Sequence, residues 1–295
     1  MLKALIALMK PRQTLLMMLT MVGSYVVAGG SLASQVFILL LLIGLSSIGG
    51  ATALNMYMEE DIDKAMKRTS KRPLPSRLIT KRLALLFSVS LMALGVILAS
   101  MIGEAVALSV MGGYYFYILS YTSLTKRYYP LASLILGSIA GSMPALGGWA
   151  AARGYISVEG VLLASLVFLW QPAHVALLNY YYREDYLSAG VRVLTEKNPE
   201  KSLRMALVVS PLLVALAMWV FVYLEKIGFL GALILSLLSL KIVREAERIK
   251  AKPAKVQLVA LFKNVGILIA VPYTLVPIES LLVEPFYLTL ASLLE

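Results

Sequence analysis

Cysteine is absent from this 295-residue chain, and histidine occurs once, as His174. The first absence excludes disulfides, thiolate metal sites and cysteine nucleophiles. The second leaves a single residue for any imidazole chemistry. Charge is scarce too: 15% of residues are charged and 60% are apolar, where a soluble domain carries roughly 25% charged residues. That deficit points to lipid as the solvent. The first twelve residues hold Lys3, Lys10 and Arg12 but no small-residue cleavage site. They read as neither a signal peptide nor a Ser/Arg-rich presequence. A net charge of +11 would suit a nucleic-acid binder, but the bases sit between long apolar runs.

Those runs are what is there. A helix needs about 20 apolar residues to cross the hydrocarbon core. Runs of that order lie near 13–30, 37–54, 83–102, 105–123, 131–151, 158–178, 205–223, 228–242 and 259–281. The sequence predicts an all-α, polytopic membrane protein of about nine transmembrane helices in a single domain, 1–295, with 284–295 too short to span. With nine spans, one side receives every one of the 27 Lys and Arg residues except Arg153 and Lys226. The positive-inside rule then places the N-terminus in the cytoplasm and the C-terminus outside.

The acids do nothing for topology, yet most of them lie among those bases. Asn55-Met-Tyr-Met-Glu59-Glu-Asp-Ile-Asp63 follows the second run. On a continuing helix, Asn55, Glu59 and Asp63 recur at i, i+4 and i+8 and share a face. Asn and carboxylate oxygens are hard ligands that suit Mg²⁺. Glu60 is spaced to pair with Lys64. Lys64, Lys67, Arg68, Lys71 and Arg72 come next. Acids followed by bases fit a Mg²⁺-bound diphosphate, with Arg and Lys neutralising the remaining charge. A solvated, salt-bridged loop obeying the topology rule explains the bases equally well, but buried polar groups at a helix end in lipid ordinarily have a function.

A second cluster follows the sixth run: Trp170-Gln-Pro-Ala-His174, then Asn179 to Asp185. Spans two and six run the same way, so two parallel four-helix pseudo-repeats would bring both clusters together around a central cavity. His174 reads either as a ligand or base at an acceptor site, or as a hydrogen-bonded interhelical polar residue. Trp170 and Tyr180–Tyr182 fit interfacial aromatics.

Together these segments resemble the UbiA superfamily of intramembrane aromatic prenyltransferases, and more narrowly its heme-farnesylating branch. The resemblance runs through Lys10-Pro11-Arg12, the N-x-x-x-D-x-x-x-D motif at Asn55, Glu59 and Asp63, and Arg72-Pro73-Leu74. It continues through Tyr121 to Lys126-Arg127, Gly141 to Trp149, Trp170 to His174, and Asp185-Tyr186 to Leu194. The chain departs from the pattern at Glu59 (Asp), Arg77 (Gly), Ala173 (Pro), Tyr182 (Arg), Arg192 and Thr195 (both Pro).

The resemblance implies transfer of farnesyl from farnesyl diphosphate to heme B, with Mg²⁺ as cofactor. It implies Asn55, Glu59, Asp63 and Asp185 as catalytic, metal-holding residues. Lys67, Arg68, Lys71, Arg72, Tyr121, Lys126, Arg127, Trp170 and His174 would bind substrate, with His174 at the heme. Heme A synthase or oxidase assembly factors would be partners, nucleic acid would not, and a prokaryotic cell membrane would be the location. The competing readings are a sister enzyme acting on a quinone precursor or a lipid glycerol phosphate, a heme carrier, or a secondary transporter. Transporters place charged sites near mid-membrane, whereas these acids lie at helix ends.

Overall fold

The computed structural model describes residues 1–225, 227–249 and 253–294, with side chains described to residue 282; Lys226 and the side chains of the C-terminal tail lie outside the described residues. Twelve helices make up the described chain: α1 (Leu2–Leu8), α2 (Pro11–Val27), α3 (Gln35–Met58), α4 (Glu60–Ala65), α5 (Lys81–Ile102), α6 (Glu104–Tyr114, widening into a π-type stretch at Tyr115–Thr125), α7 (Pro130–Arg153), α8 (Val158–Tyr181), α9 (Arg183–Ser188), α10 (Pro199–Glu225), α11 (Phe229–Glu247) and α12 (Lys255–Leu294). No strand occurs among the described residues.

Local chemistry sets several of the breaks. Ser34, Thr80 and Ser157 each accept a hydrogen bond from a first-turn amide of the helix that follows, a cap worth about 1 kcal/mol. Gly154 and Gly228, both at positive φ, separate α7 from α8 and α10 from α11. At the bend between α1 and α2 a non-glycine residue, Lys10, adopts φ 46°. The two helices meet there at 52°.

Among the described residues six helices (α3, α5, α7, α8, α10 and α12) are long and apolar enough to cross a membrane, and the bent pair α1–α2, taken as one span, makes a seventh. The expected segments 105–123 and 228–242 are helical as well, within α6 and α11. The chain is a multi-pass membrane protein, and the many exposed Leu, Ile, Val and Met side chains of these helices are the faces lipid would cover.

Consecutive long helices pack as neighbours, α3 on α5, α5 on α6 and onward to α11 on α12, and α12 packs back on α2. The circuit is therefore closed. Close approach within it depends on glycine. A Cβ at Gly148 of α7 would lie 1.9 Å from the Met21 carbonyl oxygen of α2, and one at Gly23 would lie 2.4 Å from the Tyr273 carbonyl oxygen of α12. Small residues let membrane helices meet backbone to backbone. Tyr273 also donates a 2.7 Å hydrogen bond to the Leu163 carbonyl, tying α12 to α8. Enclosed by these helices is a cavity of about 550 Å³.

Candidate active site

The polar end of this cavity is built at the junction of α3 and α4. The helix breaks at Glu59 (φ −102°, ψ 18°), but the i→i+4 ladder survives the break. The Glu59 amide donates to the Asn55 carbonyl at 3.0 Å, and the Asp63 amide to the Glu59 carbonyl at 2.8 Å. Asn55, Glu59 and Asp63 therefore stay stacked one turn apart, as their spacing predicts. All three are buried, at 1%, 4% and 2% exposure.

Each is held by a partner from a different element. Lys10 Nζ donates to Asn55 Oδ1 at 2.6 Å, and Asn55 Nδ2 donates to Thr122 Oγ1 at 3.1 Å. Lys126 Nζ lies 2.5 and 2.6 Å from the two Glu59 oxygens. Arg72 Nη1 reaches both Asp63 oxygens, at 2.7 and 2.8 Å. The π-type stretch of α6 accounts for Thr122: its hydroxyl donates to the Tyr117 carbonyl five residues back, following the wider ladder, and the same oxygen meets Asn55. Such wide turns recur at functional sites. Tyr117 and Tyr121 stack with ring centroids 5.8 Å apart, and Lys126 Nζ lies 5.4 Å from the Tyr121 ring.

Arg72 and Lys126 thus pair with two carboxylates in a buried cluster, and Lys10 adds a third basic group beside Asn55. Burial works against the Lys126 ammonium, yet the Glu59 carboxylate holds its pKa above the ordinary lysine value. Folding therefore favours the charged form. That stabilisation is complete below the unfolded lysine value and fades only as pH rises through the raised one, so Lys126 stays cationic at neutral pH. The cavity wall presents Lys10, Asn55, Tyr121 and Lys126, while Glu59 and Asp63 lie behind it, closed off by their cations.

Around the mouth, three loops are tied into a ring. Arg127, after α6, donates to both oxygens of Asp61 on α4 at 2.8 and 2.6 Å. Desolvation opposes the Asp61 charge, but the Arg127 hydrogen bond prevails and keeps its pKa below the usual carboxylate range. Asp185, on α9, accepts from the Lys67 and Arg68 main-chain amides at 2.7 and 3.3 Å. The Arg192 amide donates to the Arg127 carbonyl at 3.0 Å, closing the ring with a bond a proline there would lack. Tyr182 lies under the Arg68 guanidinium, 4.7 Å from it. Arg77 adopts φ 57°, a conformation glycine adopts without strain. The pKa of Glu60 is held low by hydrogen bonds from Lys64 and Lys81, the second of which joins α4 to α5.

The ring separates the basic residues that the sequence groups together. Arg72 joins the buried cluster, while Lys67, Arg68 and Lys71 are exposed and Arg127 pairs outward with Asp61. Asp185→Ala removes the acceptor for two amides, so the segment between α4 and α5 should become more open to trypsin. A several-fold faster cut at Lys67, Arg68 or Lys71, with helicity kept, is the expected result of limited proteolysis; an unchanged rate would mean the contact does not hold the ring.

Across the cavity, His174 on α8 stacks against Trp170 at 4.3 Å and lies 5.1 Å from Phe262 of α12. Trp170 Nε1 donates to the Val265 carbonyl at 2.6 Å, which fixes the stack. All three rings line the cavity. A stack of aromatic rings thus stands opposite a cationic, oxygen-rich end.

The UbiA prenyltransferase family model matches residues 16–291. The chain belongs to the UbiA prenyltransferase family. It is 45% identical over 282 residues to a protoheme IX farnesyltransferase of Aeropyrum pernix, covering 96% of this chain and 93% of that protein. In fold it is similar to a solved structure from work on digeranylgeranylglyceryl phosphate synthase in membranes, with a TM-score of 0.76 at 18% identity over 95% of this chain and 98% of that one. It is likewise similar to a UbiA homolog from Archaeoglobus fulgidus bound to GPP and Mg²⁺, with a TM-score of 0.67 at 16% identity over 92% and 99% of the two chains.

Within this UbiA fold, Lys10 is the residue the motif reading leaves out of the site; its signal was the Lys10-Pro11-Arg12 segment. Among the described residues no three acidic or imidazole groups converge. Mg²⁺ does not require that, since it is commonly held by one or two carboxylates plus substrate phosphates. The oxygens of Asn55, Glu59 and Asp63 are of the kind that suits such an ion, which would take the place of the contacts they now make with Lys10, Lys126 and Arg72.

Proposed function

We propose that this chain transfers a farnesyl group from farnesyl diphosphate to a vinyl group of heme B, giving heme O and diphosphate. The observation that carries this reading is the 45% identity, along 96% of the chain, to a protoheme IX farnesyltransferase. The cavity suits the substrates: a cationic end for the diphosphate, apolar walls for the tail, and aromatic rings for a porphyrin.

In this reading Asn55, Glu59 and Asp63 would hold Mg²⁺ once Lys10, Lys126 and Arg72 turn from them to the diphosphate, and the ion would supply neutralising charge there. For Asp185 to join them, its carboxylate must leave the Lys67 and Arg68 amides. Lys10, Arg72 and Lys126 stabilise the leaving group where its charge develops. The allylic C–O bond breaks, the electron pair departs with diphosphate, and the heme vinyl carbon attacks the allylic cation. Water then adds to the new cation and loses a proton, leaving a hydroxyethylfarnesyl group. The dry, apolar walls protect the first cation from premature water. The whole of 1–295 acts as one domain in a prokaryotic cell membrane, with the N-terminus cytoplasmic and the C-terminus outside. Heme O then passes to heme A synthase or an oxidase assembly factor.

The test is acceptor competition: heme B, a quinone precursor and a lipid glycerol phosphate offered together with farnesyl diphosphate to purified protein. Farnesylation of heme B alone supports the reading; prenylation of either rival overturns the heme assignment. Within the same assay His174→Ala should weaken heme B binding about ten-fold or more while farnesyl diphosphate affinity holds within two-fold, since His174 stands on the aromatic wall and away from the cations. Unchanged heme affinity would make His174 an interhelical packing residue.

A further inference from the structure

Two sets of helix faces line the cavity below its charged end, α2, α3 and α6 on one side and α8 and α12 on the other, and the first set closes on a floor. Along α3 the lining positions run from Asn55 through Ala51 and Ser47 to Ile43 and Leu40, the spacing of one helix face. A matching strip runs down α2 from Lys10 to Met21, and another down α6 from Tyr121 to Val106. The strips end together. Ile43 and Val106 pack into one buried cluster with Ala99 and Ala150, and Met21 and Leu40 share a second. These four floor side chains are at most 3% exposed. Hydroxyls on the way down are already used: Thr20, Ser47 and Ser109 each donate to a carbonyl of their own helix. Below Gln13 and Tyr117 this side therefore behaves as an apolar tube.

Its depth can be set against the length of a prenyl chain. Ile43 and Asn55 are twelve residues apart, which at 1.5 Å per residue is about 18 Å. Lys10 and Met21, eleven apart, give about 16 Å. An isoprene unit adds four carbon–carbon bonds, roughly 5 Å of extended chain. Three units then span about 15 Å and four about 20 Å. With the diphosphate at Lys10 and Asn55, three units reach the floor and a fourth collides with it.

We propose that Met21 and Ile43, backed by Leu40 and Val106 in the same buried clusters, set prenyl chain length, stopping the tail at three isoprene units. The inference rests on the prenyl diphosphate reading of the site. It also assigns the other side, toward His174 and Phe262, to the acceptor.

Binding competition tests the floor without any acceptor. Purified protein in detergent with Mg²⁺ is loaded with radiolabelled farnesyl diphosphate and displaced with geranyl or geranylgeranyl diphosphate. Wild-type protein should prefer the three-unit tail. Ile43→Ala and Val106→Ala should each raise relative affinity for the four-unit tail by about ten-fold, the effect of a methylene or more in an apolar pocket. Ser109→Phe, which fills the tube one turn above Val106, should shift preference to the two-unit tail. An unaltered order of preference in all three variants would overturn the proposal, as would a wild-type preference for the four-unit tail. Failure of wild-type protein to bind any prenyl diphosphate would instead remove the site reading and this inference with it.

Discussion

Asp63→Asn should lower turnover about 10²- to 10³-fold, the range seen when one preorganised electrostatic group is removed from a reaction centre. The substitution keeps the side chain's size and one acceptor oxygen, so packing at this buried position is preserved. What changes is charge. The Asp63 carboxylate takes both of its short contacts from Arg72 Nη1, and with Asn55 and Glu59 it makes the oxygen face assigned to Mg²⁺. Neutral amide there holds neither a divalent ion nor a guanidinium well. Helicity and the detergent thermal midpoint should stay close to wild type, because Arg72 is partly exposed and water can take up its freed donors. Wild-type turnover in Asp63→Asn would remove the metal-face account.

Lys126→Met is expected to have the second-largest effect, again about 10²- to 10³-fold on kcat/KM, with a rise in KM for farnesyl diphosphate. Lys126 does two jobs. It faces the cavity, and it neutralises Glu59 at 2.5 Å. Methionine keeps the apolar stem and deletes the charge, which leaves a buried carboxylate without its cation. Breaking such a pair costs several kcal/mol when it is fully buried; with the Lys126 side chain 18% exposed the cost should be nearer about 2 kcal/mol. The double variant Lys126→Met, Glu59→Gln isolates the stability cost. Stability should return, because no unpaired charge remains, while activity stays low for want of both groups. Recovery of activity in the double variant would contradict both the leaving-group role of Lys126 and the metal role of Glu59.

Much of the architecture was legible because lipid makes the pattern coarse. The nine apolar runs of the sequence each correspond to a long helix among the described residues. The one-face spacing of Asn55, Glu59 and Asp63 survived a helix break at Glu59 that it did not foresee, since the i→i+4 bonds bridge it. Less legible was which cation serves which acid. Lys67, Arg68, Lys71 and Arg72 form one basic run in sequence, and only the fold turns Arg72 inward. Lys10 lies 45 residues from Asn55, and its contact depends on a left-handed turn that nothing local to lysine favours. Asp185 carried a metal-like expectation from its motif, yet its oxygens meet backbone amides, which a side-chain pattern does not reveal. The departure at Arg192 found its reason in the main-chain bond it permits.

The measurement that tests the central claim most directly is a product assay on the purified protein. Heme B and farnesyl diphosphate are incubated with Mg²⁺, with an EDTA control, and the extracted hemes are weighed by mass spectrometry. A gain equal to farnesyl plus water, lost in EDTA, is the predicted result. Unchanged heme B with folded protein would contradict the heme assignment, and a product formed equally well in EDTA would contradict the role given to Asn55, Glu59 and Asp63.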